Sequence, residues 1–384
     1  MRASLTYLGH PEYFFPLVGV NDKRAIVQAF FPDETGQPAS GDLDVDLFRL
    51  REWISPPPGP MPNFYYEPLA DYWMDDGDEV LDDEPVDAEQ ETYSVESILE
   101  DGAFHSPDEL RGIIDRWRAT KNIVLQGPPG TGKTWLARRL AYALMGVKDP
   151  DAIRAVQFHP GTSYEDFVRG WRPKGDGTLE LVDGPLLQHA ELAREYPDLD
   201  FVLVVEEFNR GNPAQALGEM LTLLERTKRT ESEALELTYK HDAEERFNLP
   251  ENLYVIGTMN TADRSLALVD FALRRRFAFF ELDPQFNDAW KKHLSDKFRT
   301  ESPAHIDEIA RRIAAMNDQI AADPSLGTSF RIGHSYFTPE TEVSELDPWY
   351  RAVVETSVAP QLREYWHDRP ETVDLIVEQL LAEL

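Results

Sequence analysis

One segment of the chain has residue types and spacing suited to binding phosphate. Residues 127–134 fit the pattern G-x-x-x-x-G-K-T. Glycines in such a loop let successive backbone N–H groups point at phosphate oxygens, and a following helix adds its partial positive charge. We expect Lys133 to contact the β- and γ-phosphates of a nucleoside triphosphate and Thr134 to ligate Mg²⁺. The predicted nucleotide-binding residues are Gly127, Pro128, Pro129, Gly130, Thr131, Gly132, Lys133, Thr134 and Trp135.

Two consecutive acids follow an apolar segment further along the chain. Residues 201–205 read FVLVV and precede Glu206 and Glu207. Ligands bind at the carboxyl ends of strands in open α/β sheets, so both carboxylates are expected beside the phosphates. Glu206 is predicted to hold Mg²⁺ through water, and Glu207 to polarise the attacking water as a general base. Because aspartate is usual at the first position, a site that hydrolyses nucleotide only slowly is the alternative.

Two further elements are typical of hydrolysis sites that subunits share. Asn260 follows an apolar run at 253–258 and is predicted to orient the attacking water from the other side. Arg275 and Arg276 end a run of three arginines before Phe277. An arginine supplied to the γ-phosphate of a neighbouring subunit contributes on the order of 10³–10⁵ in rate in related systems. A structural ion pair is the alternative for each arginine.

A sheet with flanking helices is needed to bring these residues together. Short apolar segments at 123–126, 200–205 and 253–258 alternate with helical patterns, which predicts a parallel sheet covered on both faces. Ser106 before Pro107 predicts a helix start. The predicted fold class is α/β, with a parallel-sheet core and a helical C-terminal lid. In the lid, apolar side chains recur at intervals of three and four residues, which indicates one buried face of a helix. These residues are Ile306, Ile309, Ile313, Met316 and Ile320.

The chain is predicted to contain four regions. Residues 1–54 hold short β-prone runs at 5–8, 13–20, 25–31 and 45–54 that turn formers separate, which predicts a small β-rich N-terminal domain. Residues 55–92 are rich in proline and acid, as is typical of a linker. Residues 93–284 are predicted to form the α/β nucleotide-binding subdomain, and residues 285–384 the helical lid.

Two features have open alternatives. Residues 167–171 and 179–187 predict a projecting loop or hairpin, which contacts either a substrate or partner, or a neighbouring subunit. Nine histidines are present, but none has the spacing of a metal-binding motif. His334 differs from the others because the segment GHSY at 333–336 is predicted to lie between lid helices and to approach the nucleotide.

Composition limits the classes of partner and the cellular location. The chain of 384 residues has a net charge of -32, and its first 100 residues hold 22 Asp and Glu against 5 Lys and Arg. A surface with this much negative charge repels nucleic acid unless basic side chains cluster locally. The negative charge either keeps the protein soluble or forms a surface that binds a partner. No cysteine, apolar run of about 20 residues or signal-peptide pattern is present. We therefore predict a cytoplasmic protein without disulfides or membrane association.

Eight motifs in order resemble the McrB family of AAA+ proteins, the motor subunits of McrBC-type modification-dependent restriction systems. The resemblance covers roughly residues 104–384, and MNTADR is the family's signature, with Asn260 on its water-positioning asparagine. The motifs are QFHP at 157–160, SYEDF at 163–167, GWRP at 170–173, DGP at 183–185, EFNR at 207–210, MNTADRS at 259–265, LRRRF at 273–277 and GHSYF at 333–337.

The resemblance implies a ring, usually a hexamer, whose sites are shared between neighbours. It also implies GTP or ATP as substrate, with GTP preferred by the best-known member, and a separate McrC-like endonuclease that cuts DNA in trans. DNA is then expected to be reached through the complex. Glu206 departs from the family's aspartate. The acidic first 100 residues match no DNA-reading domain known from the family, so recognition of methylated DNA is not carried over.

Three functional hypotheses follow from the sequence. The first is a ring motor that activates a partner nuclease in restriction or phage defence. The second is a MoxR-like ATPase that remodels proteins without a nuclease. The third is a nucleotide-dependent scaffold that hydrolyses slowly because of Glu206. The phosphate loop contacts phosphates and not the base, so it does not distinguish GTP from ATP; base contacts are expected from residues 92–104 and from the lid.

Overall fold

A computed structural model describes residues 91–383 except 176, 242–245, 263–270, 299–302, 340, 342 and 344, together with residues 26, 27, 46, 47, 49 and 50. The chain divides into two compact units, Met1–Glu89 and Gln90–Leu384. The six described residues of the first unit are helical, and Arg49 contacts Asp46 at 3.3 Å. The strands predicted at 25–31 and 45–54 are therefore wrong at these positions. The other predicted strands of residues 1–54, and the linker up to residue 90, lie outside the described residues.

The second unit is built on a five-stranded parallel sheet. Its strand order is β2-β5-β6-β1-β7, so β1 lies between β6 and β7. A separate two-stranded antiparallel hairpin is formed by β3 and β4. The strands are β1 (Asn122–Gly127), β2 (Ile153–Gln157), β3 (Arg169–Pro173), β4 (Leu179–Asp183), β5 (Phe201–Glu206), β6 (Leu253–Asn260) and β7 (Ala278–Glu281).

Helices cover both faces of this sheet and make up the C-terminal region. A π-helical turn at Val354–Val358 joins α11 to α12. The α-helices are α1 (Val95–Glu100), α2 (Pro107–Thr120), α3 (Lys133–Met145), α4 (Tyr164–Phe167), α5 (Pro185–Glu195), α6 (Pro213–Leu217), α7 (Met220–Leu223), α8 (Phe271–Arg274), α9 (Asp288–Lys297), α10 (Pro303–Ala322), α11 (Leu346–Val353), α12 (Ala359–Tyr365) and α13 (Pro370–Leu380).

The core strands form because their side chains are apolar on both faces. Every residue of β5 before Glu206 is buried, as is every residue of β6 before Asn260. Alternate side chains of these strands enter two different apolar clusters, one on each face of the sheet. A strand buried on both faces needs a near-continuous apolar sequence, which is why the parallel α/β core could be predicted. The predicted fold class is confirmed for this unit.

Local signals at helix ends were correct, but one strand was not predicted. Ser106 caps α2, and its hydroxyl accepts a hydrogen bond from the backbone N–H of Glu109 at 3.2 Å.

The sequence did not predict strand β7. Its four residues are only partly buried or exposed at the sheet edge, and they directly follow the arginine run, so no long apolar pattern marks them. This strand matters because it fixes the arginines at the start of the edge strand.

The C-terminal helices surround a third apolar cluster. Helix α10 contributes the predicted stripe, and all five of its apolar residues from Ile306 to Ile320 are buried. Phe104 from the segment before α2 belongs to the same cluster. The lid is therefore packed against the start of the nucleotide-binding region.

The predicted projecting segment is a hairpin. Trp171 and Leu179 on its strands are 51% and 63% exposed. Its function stays a prediction with the same two alternatives. In the part of the chain that the structure describes, no helix combines the length and apolar character needed to cross a membrane.

Candidate nucleotide-binding site

The phosphate loop joins the end of β1 to the start of α3. Gly130 and Gly132 have φ angles of 77° and 72°, in the left-handed region that only glycine adopts readily. The loop therefore curls under the N-terminus of α3, and free N–H groups at a helix N-terminus attract anions. Local sequence alone specifies this geometry, because each glycine stands where the backbone requires it.

Lys133 is folded into the loop that precedes it. Its side-chain nitrogen donates hydrogen bonds to the carbonyls of Pro128 at 2.7 Å and Gly127 at 3.1 Å, and to the Thr131 hydroxyl at 3.3 Å. The residue is 7% exposed. Burial lowers the pKa of Lys133 to about 8, although the charge of Glu207 opposes this shift. A phosphate group at the loop would favour the charged form again.

The predicted chemical groups line one cleft of about 300 Å³. Lys133, Thr134 and Trp135 approach it from the start of α3, and Glu207 and Asn260 from the ends of β5 and β6. The Thr134 side chain is exposed. A lysine cation, a carboxylate and an amide therefore surround a space that opens onto the phosphate loop. Such an arrangement can bind a triphosphate and polarise a water molecule beside it.

Glu207 is held in a strained backbone conformation. Its φ angle is 54°, which costs on the order of 1–3 kcal/mol for a residue with a β-carbon. The Asn260 amide donates to its carboxylate at 3.1 Å and 3.4 Å, and Arg210 forms an ion pair with it at 3.2 Å. Strain of this kind clusters at functional sites. Arg210 was not assigned a role from the sequence; its spacing of three from Glu207 was the available signal.

Glu206 does not line the cleft that Glu207 lines. Its carboxylate lies 3.7 Å from Arg138 of α3, and it is absent from the residues that line the 300 Å³ cleft. Hydroxyl and carboxylate oxygens supplemented by water are the ligands that Mg²⁺ takes in phosphate sites. The Thr134 hydroxyl and the Glu206 carboxylate fit that donor chemistry. Their role as Mg²⁺ ligands stays a prediction.

The arginines lie at the edge of the sheet opposite the phosphate loop, where the amino end of β1 is. The Asn122 side chain, at the first residue of β1, donates a hydrogen bond to the Arg276 carbonyl at 3.1 Å. Gly127 is the last residue of β1, and five strand steps between these ends span about 17 Å. Arg275 and Arg276 are therefore not brought together with Lys133 and Glu207 within one chain.

Arg275 and Arg276 also differ from each other. The Arg276 guanidinium pairs with Glu225 at 2.9 Å and donates to the Ala272 carbonyl at 2.8 Å. Arg275 is exposed, and its side chain has no ion pair or hydrogen bond with the described residues. Both line a cavity of about 540 Å³. Other basic residues that line this cavity are Arg116, Arg226 and Arg274.

The lid reaches the phosphate loop directly. The backbone N–H groups of Gly333 and Ser335 donate to the carbonyls of Pro129 and Gly130 at 3.0 Å and 2.9 Å. The predicted approach of the GHSY segment to the phosphate loop is therefore found in the structure. A β-carbon built on Gly333 would lie 2.0 Å from the Gly130 carbonyl carbon, so this contact requires glycine.

A second cavity of about 500 Å³ lies beside the loop. Phe104 and His105 line it from the segment before α2, and His293 and His334 line it from the lid; Trp135 lines both this cavity and the 300 Å³ cleft. Burial lowers the pKa of His105, and its Nε2 has no hydrogen-bond partner among the described residues. The cavity lies where base contacts were expected from residues 92–104 and the lid. Among the described residues no three His, Asp or Glu side chains cluster as a metal site.

Two family models match separate parts of the chain. Residues 122–277 match the AAA domain of the dynein-related subfamily, and residues 308–374 match the McrB alpha-helical lid domain. The first match contains the phosphate loop, both acids, Asn260 and the arginines. The second begins within α10 and ends within α13.

Two curated bacterial relatives are similar over most of the chain. The type IV methyl-directed restriction enzyme EcoKMcrB subunit of Escherichia coli strain K12 is 40% identical over 302 residues, which cover 78% of this chain and 65% of that protein. The type II restriction enzyme BsuMI component YdiS of Bacillus subtilis strain 168 is 26% identical over 324 residues, or 73% of this chain and 90% of that protein. The chain thus spans less than two thirds of the E. coli relative.

A solved structure of a putative ATPase from Cytophaga hutchinsonii aligns with 71% of this chain and 79% of its own. The identity is 15% and the TM-score 0.31, which is too low to support an argument.

Proposed function

Because the chain belongs to the McrB family of AAA+ proteins, we propose that it is a Mg²⁺-dependent nucleoside triphosphatase that forms a ring and activates a partner endonuclease. The observation that carries this proposal is the shared cleft of Lys133, Thr134, Glu207 and Asn260. These groups come from three elements far apart in sequence. Each has the chemistry that one part of triphosphate hydrolysis needs.

In this proposal the residues divide the reaction between them. Lys133 leaves its loop carbonyls and binds phosphate oxygens, while loop N–H groups hold the rest of the triphosphate. Glu207 accepts a hydrogen bond from the attacking water and polarises it, and Asn260 fixes the orientation of that carboxylate. Thr134 and Glu206 would hold Mg²⁺, which neutralises charge on the phosphate oxygens when bound.

A ring follows from the position of the arginines. Arg275 is exposed at the sheet edge opposite the phosphate loop, so it can reach only the nucleotide of another subunit. A cation placed against the γ-phosphate stabilises charge that develops in the transition state. The site is then complete only between neighbours, which supports a closed ring with an interface repeated around it.

The partner in this proposal is an McrC-like endonuclease in a restriction or phage-defence system. The two curated relatives are named as components of restriction enzymes. No nuclease motif was found in the sequence, which agrees with cutting by a second protein. DNA would be contacted through that complex. Whether the substrate is GTP or ATP stays open.

A second candidate function is a slowly hydrolysing, nucleotide-dependent scaffold. The ion pair between Arg210 and Glu207 favours it, because a carboxylate engaged by a cation is a weaker base for water. Glu206 in place of aspartate points in the same direction. The two candidates differ in the rate of phosphate release that the partner protein induces.

The decisive experiment is phosphate release from Mg·GTP and from Mg·ATP, with and without an McrC-like endonuclease. We expect hydrolysis with at least one nucleotide and its loss in Lys133→Ala and Glu207→Gln. Glu281→Gln on the exposed end of β7 is the matched control and should hydrolyse at the parent rate. Parent-rate hydrolysis by Glu207→Gln would overturn the assignment of the base. No stimulation by the nuclease would favour the scaffold.

A further inference from the structure

The lid places one histidine against the phosphate loop. His334 stands between Gly333 and Ser335, whose backbone N–H groups bind the loop carbonyls. The His334 side chain is buried, and its ring meets the edge of the Phe104 ring at a centroid distance of 5.3 Å. Backbone and ring contacts together fix the position of this imidazole relative to the loop.

The hydrogen bonds of His334 determine its tautomer. Its Nδ1 accepts a hydrogen bond from the backbone N–H of Gln285 at 3.0 Å. A backbone N–H can only donate, so Nδ1 carries no hydrogen, and in the neutral ring the hydrogen lies on Nε2. Burial, with the nearby charges of His105 and Lys133, lowers the pKa of His334 to about 3, so the ring is neutral at pH 7. Nε2 is thus a donor.

This donor faces the phosphate loop and has no acceptor among the described residues. Nε2 lies 3.7 Å from the position that a β-carbon would take on Gly132, the residue before Lys133. No hydrogen bond from Nε2 joins it to any described residue. His334 lines the 500 Å³ cavity together with Thr131, Gly132 and Trp135. A fixed donor without an acceptor among the described residues, directed at a loop built for phosphate, can donate to water or to a ligand that binds there.

We propose that the Nε2–H of His334 donates a hydrogen bond to a phosphate oxygen of the bound nucleotide, which makes the lid part of the binding site. This inference rests on the proposed nucleotide binding. Loop residues beside Gly132 cradle the α- and β-phosphates, whereas Lys133 reaches toward the γ-phosphate. His334 therefore contacts the portion that nucleoside diphosphates and triphosphates share, and not the group that is cleaved.

Two isosteric substitutions separate the two ring nitrogens. In His334→Gln the amide NH₂ takes the place of Nε2–H, and the acceptor for Gln285 is lost. In His334→Asn the amide oxygen takes the place of Nδ1 and keeps that acceptor, but the donor is lost. A hydrogen bond to a charged group contributes about 1.5–3 kcal/mol, or roughly a 10- to 100-fold change in Kd.

The test is the Kd of the full chain for Mg·GTP, Mg·ATP, Mg·GDP and Mg·ADP, measured by calorimetry. For the purine that the parent binds, we expect His334→Asn to raise the Kd of both the diphosphate and the triphosphate by tenfold or more. The Kd values of His334→Gln should lie within about threefold of those of the parent. His367→Gln is the control, since it changes an exposed histidine of the lid that lines neither cavity, and should bind as the parent does. Thermal unfolding without nucleotide checks that each variant is folded.

Other outcomes overturn the inference in distinguishable ways. If His334→Gln binds more weakly than His334→Asn, the histidine acts only through Gln285, as a packing residue of the lid. If both variants bind as the parent does, the imidazole does not touch the nucleotide, while the proposed function stands. If the parent binds none of the four nucleotides, the proposed function fails and this inference fails with it.

Discussion

The carboxyl ends and the amino ends of the strands form two edges of the central sheet, and each edge carries a cationic side chain in a different setting. At the carboxyl ends of the strands, Lys133 is buried and already bonded to the loop that it serves. At the amino ends, Arg275 is exposed and has no partner among the described residues, while Arg276 is bound to Glu225. In the proposed function the first edge binds the phosphates of the nucleotide. The second edge supplies a cation to the nucleotide of a neighbouring subunit.

This difference shows how one sheet can contribute to two active sites. A lysine that contacts phosphate in its own chain is positioned by the neighbouring backbone. Its burial and the positive φ angles of the loop glycines fix the position of its side chain. An arginine that must reach another subunit has to remain exposed until the subunits meet. Substitutions at the two edges are therefore expected to have different consequences for binding, stability and hydrolysis.

Lys133→Ala should have the largest effect. Removing the ammonium leaves the phosphate charge without its cation, so we expect hydrolysis to fall by on the order of 10³ and nucleotide affinity to fall as well. Steady-state phosphate release and calorimetry measure the two effects. Lys174→Ala in the turn of the hairpin is the control for loss of a lysine and should retain both activities. Unchanged affinity in Lys133→Ala would contradict the assignment of the phosphate edge.

Arg275→Ala should reduce hydrolysis by on the order of 10³ while leaving nucleotide affinity and stability unchanged. The reason is that the Arg275 side chain makes no hydrogen bond or ion pair with the described residues, and in the proposed function it acts across a subunit interface. Arg276→Ala is the paired variant. It should lower the free energy of unfolding by about 1 kcal/mol, because it breaks a partly buried ion pair and a hydrogen bond.

Mixing Lys133→Ala subunits with Arg275→Ala subunits tests directly whether the two edges of different subunits form one site. A Lys133→Ala subunit still offers its arginine, and an Arg275→Ala subunit still has an intact phosphate loop. Mixed rings should therefore regain hydrolysis that neither variant shows alone. Measuring phosphate release against the mixing ratio checks this. Absence of recovery, with mixed assembly demonstrated, would show that the two edges do not form one site.

Nucleotide affinity should fall as the pH rises above 8. In the free protein the pKa of Lys133 is about 8, and the negative charge of bound phosphate raises it. Binding is then fully favoured below pH 8 and weakens by up to tenfold per pH unit above it, until the pKa of the bound state is reached. Calorimetry between pH 7 and 9 measures this slope. Lys133→Arg is the control, since guanidinium stays charged, and its affinity should be flat across the range.

Positive φ angles at residues with a β-carbon give the smallest expected effect, and among the described residues one such residue lies near each edge. Glu207 and Lys121 have φ angles of 54° and 64°. At both positions glycine should be more stable than alanine by about 1 kcal/mol, the reverse of the usual order in helices. Chemical denaturation of the four variants measures this. Hydrolysis should be lost in both Glu207 variants and retained in both Lys121 variants, since strain alone is not the source of activity.

Features specified by neighbouring residues were predictable from the sequence. The phosphate loop, the apolar strands and the cap at Ser106 each depend on a short segment, and each was located correctly. The ion pairs of Glu207 with Arg210 and of Glu206 with Arg138 were not predicted. An arginine at the sixth position of a helix says nothing about which strand end it meets, because that depends on how helix and sheet pack.

The separation of the two edges also needed the fold. The three arginines appear in sequence only 14 residues after Asn260, yet strand β6 ends at one edge of the sheet and β7 begins at the other. Strand β7 is short and partly exposed, so its pattern was too weak to show that reversal. The helical residues near 26 and 47 illustrate the opposite error, because β-prone composition is overridden when packing favours a helix.

The backbone contact between Gly130 and the lid has an evolutionary consequence. A β-carbon on Gly130 would lie 2.5 Å from the Tyr336 ring, and one on Gly333 would collide with the Gly130 carbonyl group. At Gly333 the obstacle is backbone, so no change of another side chain can make room for a β-carbon. At Gly130 the obstacles are the Tyr336 ring and the residue's own φ of 77°. Lineages that keep this contact between lid and loop should retain both glycines, and Gly333 most strictly, even where the surrounding lid sequence diverges freely.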